Sequence, residues 1–336
     1  MQIITCAGYH GTGSSAITNL VSEFSNVKSL GAYEFRFLHD PYGISDLEYN
    51  LVENHNRLNS GRAMKKYLKY VDFLSANLIK KKYEKFFDDQ FRSLSYKYID
   101  DLTECRYNGY WHYDLIDKGR LYYYSYRLLT KLVKIPRKFF RQNVEKPYKL
   151  IRHEISYCAY PSEEEFLSKT KYYTTELFKC ANRENFDYLM IDQLFPPSNI
   201  DRYLRYIEDD IKIIVVDRDP RDLYLWETLY WKGTIIPRNV EDFCTWYEVT
   251  RRHRDIENYN SQNVLFIQFE DLIFNYESSV KKICAFIGFS PEDHIHKKEL
   301  FDPEVVMKKT QLYKEHQDEK IAYIQKRLKK YCYNLP

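Results

Sequence analysis

Residues 6–16 read CAGYHGTGSSA and join a short β-prone run, residues 2–7, to a helical stripe of Ile17, Leu20, Val21 and Phe24. Apolar residues at i, i+3, i+4 and i+7 mark one face of a helix. The joint is therefore strand, glycine-rich turn, helix, and few folds other than a parallel α/β sheet accommodate it. Later runs agree. FDYLMID (186–192), DIKIIVVD (210–217) and NVLFIQF (263–269) are short, apolar and separated by helical patterns. Strands of a sheet buried on both faces look like this. Helical spacing recurs over Ile200–Ile207, Phe243–Val249, 277–289 and 319–331. A further β-prone run, GAYEFRFL, is expected to place a strand over 31–38.

Residues from about 50 to 185 differ in character: rich in Lys and Tyr, mostly helical by pattern, with few strand signals. Ser162 followed by Glu165 has capping-box spacing and starts one helix there. The expected architecture is a P-loop-like parallel α/β sheet flanked by helices, with a large helical insertion. Its core comprises residues 1–50 and 185–336, and the insertion covers 51–184. With 336 residues and 44% hydrophobic composition, the chain can bury a core of that size.

Charge and cysteine usage narrow the context. The net charge of +3 favours no nucleic-acid partner, yet Lys118–Arg152 holds eleven Lys or Arg against one acid, Glu145. Seven scattered cysteines without a CxxC pair fit reduced thiols in a cytoplasmic protein and give no zinc spacing. No window has the apolar length of a membrane span, and the N-terminus lacks the basic region of a signal peptide.

The turn itself points to an anion. Gly8, Gly11 and Gly13 allow close approach, Thr12, Ser14 and Ser15 add hydroxyls, and the backbone N–H groups face the positive end of a helix. Gly8 to Gly13 has the gap of a Walker loop, but Ser14 occupies the lysine position, which argues against a P-loop kinase. The second motif is IIVVDRDPRDLYLWE (213–227), a strand that puts Arg218 and Arg221 at its carboxyl end. Open α/β sheets bind ligands there, and arginine forks grip phosphate. Asp217-Arg218-Asp219 also has the form of a glycosyltransferase metal motif.

Together the two motifs resemble those of the PAPS-dependent sulfotransferases, here of the carbohydrate type. Thr12-Gly13-Ser14-Ser15 is similar to the family's 5′-phosphosulfate loop, and Arg218-Asp219-Pro220-Arg221-Asp222 to its 3′-phosphate motif. Phe269-Glu270-Asp271-Leu272 and Phe286-Ile287-Gly288-Phe289 resemble its late strand end and closing helix. The resemblance covers residues 1–45 and 185–335. It implies PAPS as donor, no required metal, and transfer to a hydroxyl of an acceptor such as a glycan. Two positions depart from the pattern: the loop cation falls at Gly11, and a 3′-phosphate serine falls at Trp226. His10 is the candidate substitute cation, and Lys308 and Lys309 are candidate phosphate ligands. Carbohydrate-type members place a glutamate base on the strand after the loop helix, which points to Glu34 among Tyr33, Phe35 and Phe37, with His39 as the competing base. Tyr110-Trp111-His112-Tyr113 and Tyr122-Tyr123-Tyr124 are the expected acceptor side. A nucleotide-binding relative without catalysis also fits both departures.

Overall fold

The computed structural model describes residues 1–76, 80–109, 117–139 and 154–334. Five parallel strands form one sheet: β1 Gln2–Gly8, β2 Val27–Ser29, β5 Tyr188–Asp192, β6 Asp210–Asp217 and β7 Val264–Gln268, in the order β2-β5-β1-β6-β7. A separate antiparallel ribbon pairs β3 Cys105–Gly109 with β4 Glu154–Cys158. That ribbon lies inside the segment read as mostly helical. β3 is largely exposed and the described residues of β4 are at most half-buried, so no alternating buried face announces it.

Alternation along the central strands divides the apolar residues between two cores. Ile3, Ala7, Ile213 and Val215 face one core, while Ile4, Cys6, Ile214 and Val216 face the other. The first core is covered by the middle of the chain. Met64 and Tyr67 come from helix Arg57–Ser75, Phe91 and Tyr98 from helix Phe91–Leu102, and Phe166 and Leu177 from helix Glu163–Ala181. The second core is covered by helix α1, Ser14–Val21, and by helix Tyr276–Ile287, which stops at Gly288 with φ of 96°. Ser162 caps helix Glu163–Ala181: its hydroxyl accepts the Glu165 N–H at 3.1 Å, and the Glu165 carboxylate accepts from Lys169.

The expected strand over 31–38 does not form. The strand after α1 is the short β2, and residues 31–36 run on as irregular chain. Only the Phe35 N–H is tied to the sheet, donating to the Asp192 carbonyl at 2.9 Å. Phe35 and Phe37 are buried against Tyr83 and Phe91, so alternation survives without a ladder. Aromatic packing fixes which side chains point inward, and period two alone does not supply a partner strand. The helix read over Ile200–Ile207 is shorter than its pattern, Ile200–Leu204.

Candidate functional site

Strands β1, β5 and β6 end side by side, and their carboxyl ends hold the loop, Asp192 and Arg218. Gly11 and Gly13 have φ of 73° and 100°, conformations that favour glycine. Close packing adds a second reason: a Cβ at Gly13 would lie 2.3 Å from the Phe269 ring, and one at Gly11 would lie 2.8 Å from Leu223. Thr12 is buried and its hydroxyl donates to the Tyr9 carbonyl at 2.9 Å, so it shapes the turn from inside. Ser14 is half-buried and Ser15 exposed at the start of α1. The Gly8 N–H points to the Gln193 amide oxygen at 3.5 Å.

Tertiary packing brings Arg218, 207 residues away in sequence, against this loop. One guanidinium N–H donates to the Gly11 carbonyl at 3.3 Å and another to the Lys309 carbonyl. The Phe269 and Trp226 rings lie 5.1 and 5.8 Å from its centre. Its Nε is buried without a protein partner, and burial holds its pKa below the usual arginine value. A buried guanidinium with an unpaired N–H at a glycine turn is the arrangement an anionic ligand completes. Lys308 and Lys309 are both exposed, and the Lys309 ammonium lies 5.3 Å from the same Trp226 ring.

Arg221 has a different setting. Its guanidinium grips Asp219, donates to the Tyr333 carbonyl at 3.0 Å and lies 3.7 Å over the Tyr313 ring. Asp217 is also fully engaged. It accepts from Arg251 at 2.7 Å, Arg254 at 2.5 Å and Tyr247 at 3.2 Å. Burial alone would raise its pKa, but the two guanidinium charges outweigh burial and hold it below the ordinary carboxylate value. With Asp217 and Asp219 both ion-paired to arginine, the metal-motif reading of this stretch has no open carboxylate.

The two candidate bases sit near the end of β5. Glu34 follows β2 by five residues, is largely exposed and lies 3.6 Å from Arg36. The apolar setting expected for it is absent, because its aromatic neighbours Phe35 and Phe37 turn to the opposite side, into the core. His39 has its Nε2 3.0 Å from the Gln193 carbonyl, and burial lowers its pKa to about 4. The imidazole is therefore neutral at pH 7, with one nitrogen committed to the chain.

A carboxyl with a raised pKa at this edge of the sheet is Asp192, which no motif in the sequence marks. Burial, and the charge of Glu34, push it up to about 7, and its Oδ1 has no hydrogen-bond partner. An acid closing a buried parallel strand was the available signal. Glu270 is a second case: it accepts the Asp219 N–H at 3.0 Å, and burial pushes it up to about 8. His10 stands edge-on to Trp231, 5.5 Å between ring centres. Tyr230 and Trp231 are both exposed, and Tyr230 stacks on Trp226 with 5.2 Å between ring centres. Tyr110-Trp111-His112-Tyr113 lies outside the described residues, as do residues 140–153 of the basic stretch. Tyr122 and Tyr124 are exposed on helix Arg120–Phe139.

Among the described residues no cluster of His, Cys, Asp or Glu is set to hold a metal ion, and all seven cysteines are free. No described helix is long and apolar enough to cross a membrane.

Several known proteins resemble the chain. The sulfotransferase domain from the Synechococcus PCC 7002 olefin synthase is 11% identical, with a TM-score of 0.42, covering 100% of this chain and 96% of that one. Retinol dehydratase, solved with androsterone and inactive cofactor PAP, is 15% identical with a TM-score of 0.36 over 99% of this chain and 82% of its own. STF1 from Mycobacterium tuberculosis H37Rv is 12% identical with a TM-score of 0.34, covering 92% and 76% respectively. No curated protein matches the chain. The family model described as sulfotransferase domain matches residues 203–330. That match takes in the Arg218 strand, its turn and the segments that enclose it, and over this stretch the chain is similar to the sulfotransferase-domain family.

Proposed function

We propose that the protein transfers a sulfuryl group from PAPS to a hydroxyl of a carbohydrate acceptor. The observation that carries this reading is Arg218, buried, one N–H unpaired, and hydrogen-bonded to the glycine turn at the carboxyl edge of the sheet. In the proposal the Gly8–Ser15 turn and the N-terminus of α1 hold the 5′ end of the donor, and Arg218, with Lys309 beside it, holds the 3′-phosphate. The donor supplies an activated sulfuryl group and a phosphate leaving group. In this reading, backbone N–H groups of the turn that face the donor stabilise growing negative charge without rearranging. Gly11 offers no side chain, and His10, held beside Trp231, is the proposed cation there.

Glu34 is the proposed base. Its exposure leaves the carboxylate free to meet an acceptor hydroxyl, and Asp192 lies behind it at the end of β5. The exposed Trp231 beside His10 suits stacking of a sugar ring. The committed nitrogen of His39 and the bare Gly11 favour a second reading, nucleotide binding without turnover. Calorimetry with 3′,5′-ADP tests the donor site: the wild type binds, and Arg218→Ala weakens binding by about 2–3 kcal/mol, the scale of a charge-assisted contact. Unchanged affinity in that variant refutes the site. Release of 3′,5′-ADP from PAPS in the presence of acceptor separates the enzyme from the non-catalytic reading.

A further inference from the structure

Among the described side chains of helix Arg120–Phe139, full burial falls on one side only. Its buried residues among those described are Tyr126 and Thr130. On the opposite side Leu121, Tyr124, Leu128, Leu132 and Ile135 recur at steps of three, four, four and three. At 100° per residue they form a stripe roughly 80° wide. All five are exposed, with Leu121 at 89%, Leu128 at 59% and Ile135 at 64%. Arg120, Arg127 and Lys131 run along one border of the stripe, all exposed. Residues 120–139 contain six Lys or Arg and no acid.

We propose that this helix docks the protein on an anionic bilayer surface. The apolar stripe calls for an apolar phase, and the cationic border calls for negative charge outside it. An anionic membrane surface offers both at one depth, with the helix lying in the interface plane. A second copy of the helix would cover the stripe, but it would bring cations against cations with no acid on either helix to pair them. A nucleic acid would meet the cations and leave the leucines in water. The helix has too many charges to span, so the attachment is peripheral. This inference is independent of the sulfuryl-transfer reading.

Sedimentation of the full chain with vesicles tests it. Binding to phosphatidylcholine vesicles containing phosphatidylserine is expected to exceed binding to phosphatidylcholine alone by about tenfold or more, and to fall as salt is raised. The double substitution Leu128→Asp, Leu132→Asp is expected to reduce binding to the anionic vesicles by about tenfold or more. Both sites are exposed, so the thermal midpoint holds. Lys131→Glu, which leaves the stripe intact, gives a smaller loss that high salt masks. Absence of binding to anionic vesicles overturns the proposal, as does equal binding by the leucine variant. Self-association that the leucine variant abolishes, without vesicle binding, assigns the face to a second copy and also overturns it.

Discussion

Two charged regions meet at the start and end of the same dipeptide, Asp217-Arg218, and they are built in opposite ways. On the Asp217 side every charge answers another: Arg251 and Arg254 clasp the carboxylate, Tyr247 donates to it, and Arg251 lies 4.0 Å over the Tyr9 ring. On the Arg218 side polar groups are left open. Arg218 Nε, Asp192 Oδ1 and Glu270 Oε2 are all buried with no hydrogen-bond partner. A closed network contributes to the fold, whereas a row of open polar atoms beside a glycine turn lowers stability unless a ligand completes it. One residue of sequence thus separates a scaffold from a candidate site.

The largest effect that would sharpen this contrast is catalytic. Glu34→Gln keeps the shape and removes the basic oxygen, so turnover is expected to fall about 10²–10⁴-fold while 3′,5′-ADP affinity holds. If Glu34→Gln keeps full turnover and Asp192→Asn loses it, the base is the buried carboxyl, and the rate should fall as pH drops through about 7. Next comes the closed network. Arg251→Ala strips Asp217 of a buried partner and is expected to cost about 3–5 kcal/mol in denaturant unfolding. A variant that instead unfolds like wild type but no longer binds 3′,5′-ADP would break the comparison, because the scaffold side would then be a binding side.

The smallest effect is a pH dependence. Glu270 carries a folded-state pKa of about 8, raised by burial and by the charge of Asp219, against about 4.3 in an unfolded chain. Over that window the folded protein holds a proton that the unfolded chain releases, so stability falls as pH rises. Asp192 acts in the same sense up to its pKa of about 7, and His39, lowered to about 4, acts in the opposite sense below about 6.5. Between pH 7 and 8.5 Glu270 dominates these three, and wild type is expected to lose about 1 kcal/mol that Glu270→Gln does not lose. Equal slopes in the two proteins would show that the Glu270 carboxyl is already ionised at pH 7.

The strands β1, β5, β6 and β7 were legible because burial on both faces demands unbroken apolar runs of strand length. The turn was legible because a strand-to-helix joint with Gly11 and Gly13 in left-handed conformations tolerates few other residues. Glu34 was misplaced in its surroundings for a related reason. Alternation around it is real, but its cause is the aromatic packing of Phe35 and Phe37 rather than a strand. The β3–β4 ribbon left no pattern because none of its described residues is fully buried.

Local sequence therefore determined the sheet, the turn and the presence of arginine at a strand end, since these depend on periodicity and backbone conformation within a dozen residues. Only the tertiary structure decided which arginine faces the loop. Arg218 and Arg221 stand three residues apart in one motif with the same chemistry. Asp219, Tyr313 and Tyr333 enclose Arg221, while Gly11 and Lys309 leave one N–H of Arg218 unpaired. Those partners come from segments about 90 to 207 residues away, apart from Asp219, and no local pattern encodes contacts at that range.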